Sequence, residues 1–333
     1  MRAVIQSMWR AAMVLAAGAL AAVSLPAMAQ AAAPRHVEVQ AHRGGPYVEG
    51  RPAFPENTMP AFRHAAHAGF VLELDARLTR DDVPVLLHDA TLDRTTTCTG
   101  LLRALTAAEL AAHCRSDVLG VRGNASGLPT APVIAPTVPV PTLAELLAFA
   151  RESRSRVNVE IKGLPSDPGF DAAESPGYAA RILDAVDASG IPRSRVVIQS
   201  FWPPHLDLAE GRGFDTSLLS LAQTSAGAPE NARARGYEWV SPAWPFAPAH
   251  VSRAHALGLR VAPYTLDRKE ALRAAAAVGV DGVISNDPVR AARILAGFFA
   301  MQLQQEIRDA RSYVKYRRRI ERIIRRYALP RPR

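Results

Sequence analysis

The chain has 333 residues, 48% hydrophobic and 21% charged, which gives material for a sizeable core and excludes a disordered chain. Its formal net charge is +9, yet residues 308–333 alone carry eleven Arg and Lys against Asp309 and Glu321, a surplus of +9. Arg2 and Arg10 add two more, so residues 11–307 sum to −2; a general basic nucleic-acid surface is excluded and a basic C-terminal appendage remains.

At the N-terminus, Arg2 and Arg10 precede an apolar run over 11–25, and small residues (Ala27, Ala29) stand at −3 and −1 of a cut after Ala29. That order predicts a secretory signal peptide over 1–29 and an exported protein, periplasmic or secreted. The run is shorter than the ~20 residues a membrane-spanning helix needs.

From residue 36, short β-branched runs alternate with alanine-rich stretches. Strands are predicted at 36–42, 70–76, 83–88, 157–162, 195–200, 216–221, 238–242, 259–265 and 282–286. Helices are predicted at 59–68, 142–152, 177–188 and 269–278. Repeated strand–helix units of this total length predict an α/β fold, a TIM-type (β/α)8 barrel over 36–298. Nine strands are one too many. Residues 77–82 are too few for a crossover helix, so the second and third candidates are expected to form a hairpin.

Residues 96–141, with weak periodicity and clustered Gly, Ser and Pro, read as an insertion after the third strand. It holds the only two cysteines, Cys98 and Cys114. In an oxidising compartment they are candidates for a disulfide worth ~3 kcal/mol. At the far end, 301–328 reads as one helix within a basic C-terminal segment, 299–333. Ile307, Ala310, Val314, Ile320, Ile323 and Ile324 form an apolar stripe opposite a dense arginine face. Such a helix suits an anionic membrane surface; docking on the barrel with its basic face in solvent is the rival expectation.

The chemistry-bearing residues gather at predicted strand C-termini, the face where barrel enzymes build their sites. Glu73 and Asp75, at i and i+2, point to one side of a strand, and Glu160 ends another. Three converging carboxylates predict a hard divalent cation, Ca²⁺ or Mg²⁺. His42 and His88 end two further strands and suit acid/base work. Arg43 and Lys162 bring cations fit for phosphate oxygens. Together they imply a phosphate-ester substrate. The remaining histidines (His64, His67, His113, His205, His250 and His255) read as structural.

The ordered set His42-Arg43-Gly44-Gly45, Pro55-Glu56-Asn57-Thr58, Glu73-Leu74-Asp75, Thr79-Arg80-Asp81, His88-Asp89, Leu92-Asp93-Arg94-Thr95-Thr96, Pro141-Thr142-Leu143, Val159-Glu160-Ile161-Lys162, Ser200-Phe201 and Gly279-Val280-Asp281-Gly282 resembles the glycerophosphodiester phosphodiesterase family. The resemblance runs over roughly 38–290. It implies metal-dependent hydrolysis of a small-molecule glycerophosphodiester to glycerol phosphate and an alcohol. His42 and His88 would be the acid/base pair, Glu73, Asp75 and Glu160 the metal ligands, Arg43 and Lys162 the phosphate contacts. Two stretches depart from the common family pattern: Tyr264-Thr265-Leu266-Asp267 and Ser285-Asn286-Asp287-Pro288. Tyr264 and Trp202 are candidates for a substrate wall. A phospholipase D-like enzyme acting on intact phospholipid and a non-catalytic binding protein on the same scaffold are the alternative readings. No nucleic-acid partner is expected.

Overall fold

The computed structural model describes residues 37–117 and 137–327, so the expected leader at 1–29, the middle of the insertion and the last six residues lie outside the described residues. Eight parallel strands make the main sheet: β1 (Glu38–Ala41), β2 (Val71–Leu78), β4 (Val157–Ile161), β5 (Val196–Ser200), β6 (Asp215–Ser220), β7 (Trp239–Pro242), β8 (Arg260–Val261) and β9 (Gly282–Ser285). Their spatial order is β8-β7-β6-β5-β4-β2-β1-β9. Three backbone bonds join the two ends: Asp281 N–H to Val261 O (2.9 Å), Ile284 N–H to Pro263 O (3.0 Å) and Leu266 N–H to Ile284 O (2.9 Å). The result is a nearly closed (β/α)8 barrel of the TIM type.

The third predicted strand, β3 (Pro84–Leu86), runs antiparallel to β2 and outside the parallel eight, pairing Ala76 with Leu86 and Leu78 with Pro84, the hairpin the short connection demanded. Strand β8 is shorter than the predicted 259–265. Pro263 has no N–H to give a ladder, and pairing resumes only as a single bridge between Tyr264 and Ala243.

Helices α1 (Met59–His67), α3 (Leu143–Glu152), α4 (Ser175–Ala188), α5 (Pro203–Gly211), α6 (Ala228–Ala234), α7 (Ala249–Ala256) and α8 (Lys269–Val278) lie between barrel strands, and α2 (Ala107–His113) belongs to the insertion. Their ends follow local chemistry. Thr142 caps α3 by accepting from the Glu145 N–H while the Glu145 carboxylate accepts in return; Thr106 and Glu109 do the same for α2. Gly279, at φ 85°, stops α8.

Every residue of β2 is buried, and its alternation sorts them. Leu72, Leu74, Ala76 and Leu78 join Phe62, Leu146, Leu147, Ile182 and Leu183 in the core between sheet and helices. Each fully buried leucine there contributes ~2 kcal/mol. Glu73, Asp75 and Arg77 point the other way, into the barrel. There the Asn158 side-chain N–H groups donate to Gln40 and Gln199, and Gln199 Nε2 donates to Glu73 Oε1 (2.7 Å), an amide chain beneath the acids that leaves Asn158 Oδ1 buried without a partner.

Within the insertion, Cys98 and Cys114 are bonded, with Cα atoms 5.4 Å apart. Cys114 packs with Val85, Leu87, Leu92, Leu102, Leu110 and Val140 in a small core of their own. A two-strand ribbon pairs Arg115–Asp117 with Thr137–Pro139. The last helix, α9 (Pro288–Tyr327), is continuous over 40 residues. Ala291 and Leu295 anchor it to the barrel, and Phe298 and Phe299 are partly buried against the same core. From 300 to 315 every side chain is exposed, so 298–299, where the barrel was expected to end, is where one unbroken helix leaves its surface.

Candidate active site

Strand β1 ends at Ala41, and the chain turns through His42–Gly44 with Arg43 at φ 53°. A left-handed non-glycine residue is strained and persists only where its surroundings hold it. Here the Arg43 N–H donates to Glu73 Oε2 (2.7 Å) and the Arg43 carbonyl accepts from the Asn57 N–H (2.8 Å). The two glycines that follow are required sterically. A Cβ on Gly44 would lie 2.9 Å from Ala61 Cβ, and one on Gly45 would lie 2.8 Å from Pro288 Cδ, both at positive φ. The turn therefore fixes His42 and Arg43 against the acids of β2.

Glu73, Asp75 and Glu160 are buried, and their nearest carboxylate oxygens all lie within 4.8 Å of one another. Asn57 clamps Asp75: its Nδ2 donates to Asp75 Oδ2 (2.7 Å) and its Oδ1 accepts from the Asp75 N–H (3.1 Å). Lys162 Nζ donates to Glu160 Oε1 and stands 3.0 Å from Asp75 Oδ1. Burial, with the charges of Asp75 and Glu160, pushes Glu73 well above the usual carboxylate range. Burial also raises Glu160. Asp75 goes the other way: burial opposes its ionisation, but Lys162, His88 and Arg43 outweigh it and hold the carboxyl well down.

This donor set fits a divalent cation. It offers hard oxygens from three buried, converging carboxylates, two of them resisting ionisation beside the Asp75 charge, and Lys162 is the cation that stands against Asp75 Oδ1. Among the described residues it is the group of acidic and imidazole side chains spaced for a metal.

His42 and His88 line one cavity of about 340 Å³ together with Arg43, Pro46, Tyr47, Glu56, Asp89, Arg94 and Asn286. Their partners differ. His42 Nδ1 lies 2.6 Å from the Asn286 amide oxygen, and burial, aided by Arg43, pushes its imidazole down to about 3. His88 Nδ1 lies 2.6 Å from Asp89 Oδ1. Burial opposes the Asp89 charge, but His88 and Arg94 hold its pKa far below the ordinary value. Arg94 bridges Asp89 and Glu56 and, with Arg43 Nη1 3.0 Å from Glu56 Oε1, closes a four-residue ion network on the cavity wall. A larger cavity, about 440 Å³ and lined by Arg77, Asp167, Phe170, Tyr178 and Arg181 among others, holds neither histidine and none of the three acids.

The seven residues expected to bind metal and phosphate and to move protons are thus brought together. Neither candidate wall residue lines the 340 Å³ cavity. Tyr264 is raised by burial and the Glu160 charge, donates its hydroxyl to Ser220 O (3.0 Å) and meets Phe201 edge-on. Trp202 packs edge-on against Phe170, its Nε1 buried without a partner. Of the histidines read as structural, His205 is buried against Ser175 and Ser200, and His255 pairs with Asp281. Sequence reasoning assigned no part to Glu56, Asn57, Asp89, Arg94, Gln199 or Asn286. The first four lay inside the quoted motifs, and the positive φ of Asn57 (56°) is a backbone feature no residue count reveals.

Fold and site together are those of a (β/α)8 barrel in which three buried carboxylates, a donor set compatible with a divalent cation, converge near two histidines. Residues 42–290 match the Glycerophosphoryl diester phosphodiesterase family, most of the chain, and the protein belongs to that family. A glycerophosphodiester phosphodiesterase from Bacillus altitudinis is 29% identical over 263 residues, covering 77% of this chain and 97% of the relative. One from Caldanaerobacter subterraneus is 28% identical over 240 residues, 70% and 89% of the two chains. Among solved structures, a glycerophosphoryl diester phosphodiesterase from Silicibacter pomeroyi superposes with TM-score 0.69 at 28% identity, over 80% of this chain and 95% of its own. A phosphodiesterase from Oleispira antarctica, solved with its product sn-glycerol-3-phosphate, shares the fold with TM-score 0.63 at 22% identity, over 78% and 96%.

Proposed function

We propose that the protein hydrolyses glycerophosphodiesters to glycerol 3-phosphate and an alcohol, with a divalent cation held by Glu73, Asp75 and Glu160. The observation that carries the division of labour is the unlike pair of histidine partners. His42 faces a neutral amide and is held as the free base, so its Nε2 accepts the proton of the substrate's glycerol hydroxyl as that oxygen attacks phosphorus. His88 Nδ1 faces the Asp89 carboxylate, which orients the ring, and we assign it the protonation of the departing alkoxide as the P–O bond breaks. Water then opens the cyclic phosphate, His88 taking its proton and His42 returning one to the glycerol oxygen. Arg43 and Lys162 bring positive charge to the non-bridging oxygens. The bound cation, Ca²⁺ or Mg²⁺, supplies Lewis-acid stabilisation of the same oxygens.

An activated leaving group tests the assignment. In the first turnover of a glycerophosphodiester of p-nitrophenol, which departs without protonation, release of p-nitrophenol by His88→Ala should recover most of its loss while that by His42→Ala stays depressed by roughly 10²–10⁴-fold. Equal loss in both variants on this substrate contradicts the roles.

Export and membrane contact belong to the same proposal. The disulfide supports an oxidising compartment reached through a cleaved 1–29 leader. The exposed stretch of α9, with Met301, Leu303, Ile307 and Val314 beside its basic residues, supports contact with anionic lipid.

A further inference from the structure

The orientation of His42 traces to a carboxylate that does not touch it. Asp267, in the loop after β8, accepts three hydrogen bonds: from Ser285 Oγ (2.9 Å) and Asn286 N–H (2.8 Å) at Oδ1, and from Asn286 Nδ2 (2.7 Å) at Oδ2. A carboxylate so used is an acceptor only, so the Asn286 amide must turn its NH₂ toward Asp267 and its oxygen away. That oxygen is 2.6 Å from His42 Nδ1. An amide oxygen cannot donate, so the proton of the neutral ring must sit on Nδ1 and the Nε2 lone pair must be free. Main chain reinforces the arrangement: Leu266 N–H donates to Ile284 O (2.9 Å), tying the loop of Asp267 to the strand that ends one residue before Asn286.

We infer that Asp267 and Asn286 are positioning residues that fix the tautomer of His42 and thereby make it the base. The inference rests on the catalytic reading above for its kinetic consequence, but the tautomer is a property of the protein without substrate.

Reversing the polarity of the relay is the test. In Asp267→Asn, Oδ1 keeps its two donors and an NH₂ replaces Oδ2, so the Asn286 amide turns over, offers its own NH₂ to His42 and moves the ring proton to Nε2. The swap Asp267→Asn with Asn286→Asp restores an acceptor facing His42 while residue 267 donates to the new carboxylate. Ring ¹⁵N shifts of His42 in the folded protein should show Nδ1–H in the wild type, Nε2–H in Asp267→Asn and Nδ1–H again in the swap. On glycerophosphocholine, Asp267→Asn should lose at least ~10-fold in kcat with KM nearly unchanged, while the swap, which sets a carboxylate against His42, is read by its tautomer alone. An Nδ1–H ring in Asp267→Asn, or an Nε2–H ring in the swap, overturns the inference. A wild type that shows the expected tautomers but turns over no glycerophosphodiester would refute the catalytic reading and leave the positioning intact.

Discussion

At the scale of single residues, the molecule makes unlike groups out of like ones by choosing their neighbours. Asp75 and Glu160 sit on adjacent strands in register, yet Asp75 is driven down and Glu160 up, because Lys162, His88 and Arg43 together outweigh burial at Asp75 while burial and the Asp75 charge prevail at Glu160. His205 gives a test of the same physics away from the site. Burial lowers its imidazole from 6.5 to about 4. Between those values the unfolded chain binds a proton that the folded chain refuses, so stability is present above pH 6.5 and drains as pH falls toward 4. Urea unfolding of wild type and His205→Gln at pH 7 and pH 4.5 should therefore show a pH-dependent loss ~2–3 kcal/mol smaller in the variant. An identical loss in both would contradict it. Residue identity at strand ends was enough to single out His42, His88 and the three acids. Asn286 and Asp267 escaped because their role is one of orientation, set by partners up to 244 residues apart in sequence.

At the scale of elements, the turn after β1 and the insertion after β3 do the positioning. Gly45 cannot take a side chain without moving Pro288, the first residue of α9. Gly45→Ala should cost ~1–3 kcal/mol and displace His42, seen as lowered kcat along with a lowered melting temperature. Unchanged stability would show that the turn has slack. The insertion buries Val85 and Leu87, the residues that lead into His88, under a lid pinned by Cys98–Cys114. Replacing both cysteines by serine should lower stability by ~3 kcal/mol without altering the metal requirement. The hairpin of β2 and β3 was foreseeable from the length of its connection. The shortness of β8 was less so, since hydrophobic pattern does not report that Pro263 breaks the ladder.

At the scale of the whole molecule, charge is segregated: a near-neutral catalytic body and a basic helix that leaves it. If the exposed part of α9 is a lipid contact, removing 305–333 should abolish sedimentation with anionic liposomes at low salt and leave turnover of a soluble substrate intact. Binding that survives the deletion would end that idea. The barrel class was readable because short strand candidates recur nine times with alanine-rich helical stretches between several of them; the length of α9 was not, because the switch from barrel contact to open solvent near Phe299 leaves no break in the helix.

We propose that three buried carboxylates and two histidines with unlike partners run one metal-assisted hydrolysis. Its most direct test is release of glycerol 3-phosphate from glycerophosphocholine by wild type, Glu160→Gln and His42→Ala, after EDTA and after adding back Ca²⁺ or Mg²⁺. Release by wild type should stop with EDTA and return with added cation, and both variants should release at least ~10²-fold more slowly with cation present. Release that ignores EDTA, or that survives the loss of His42, would contradict it.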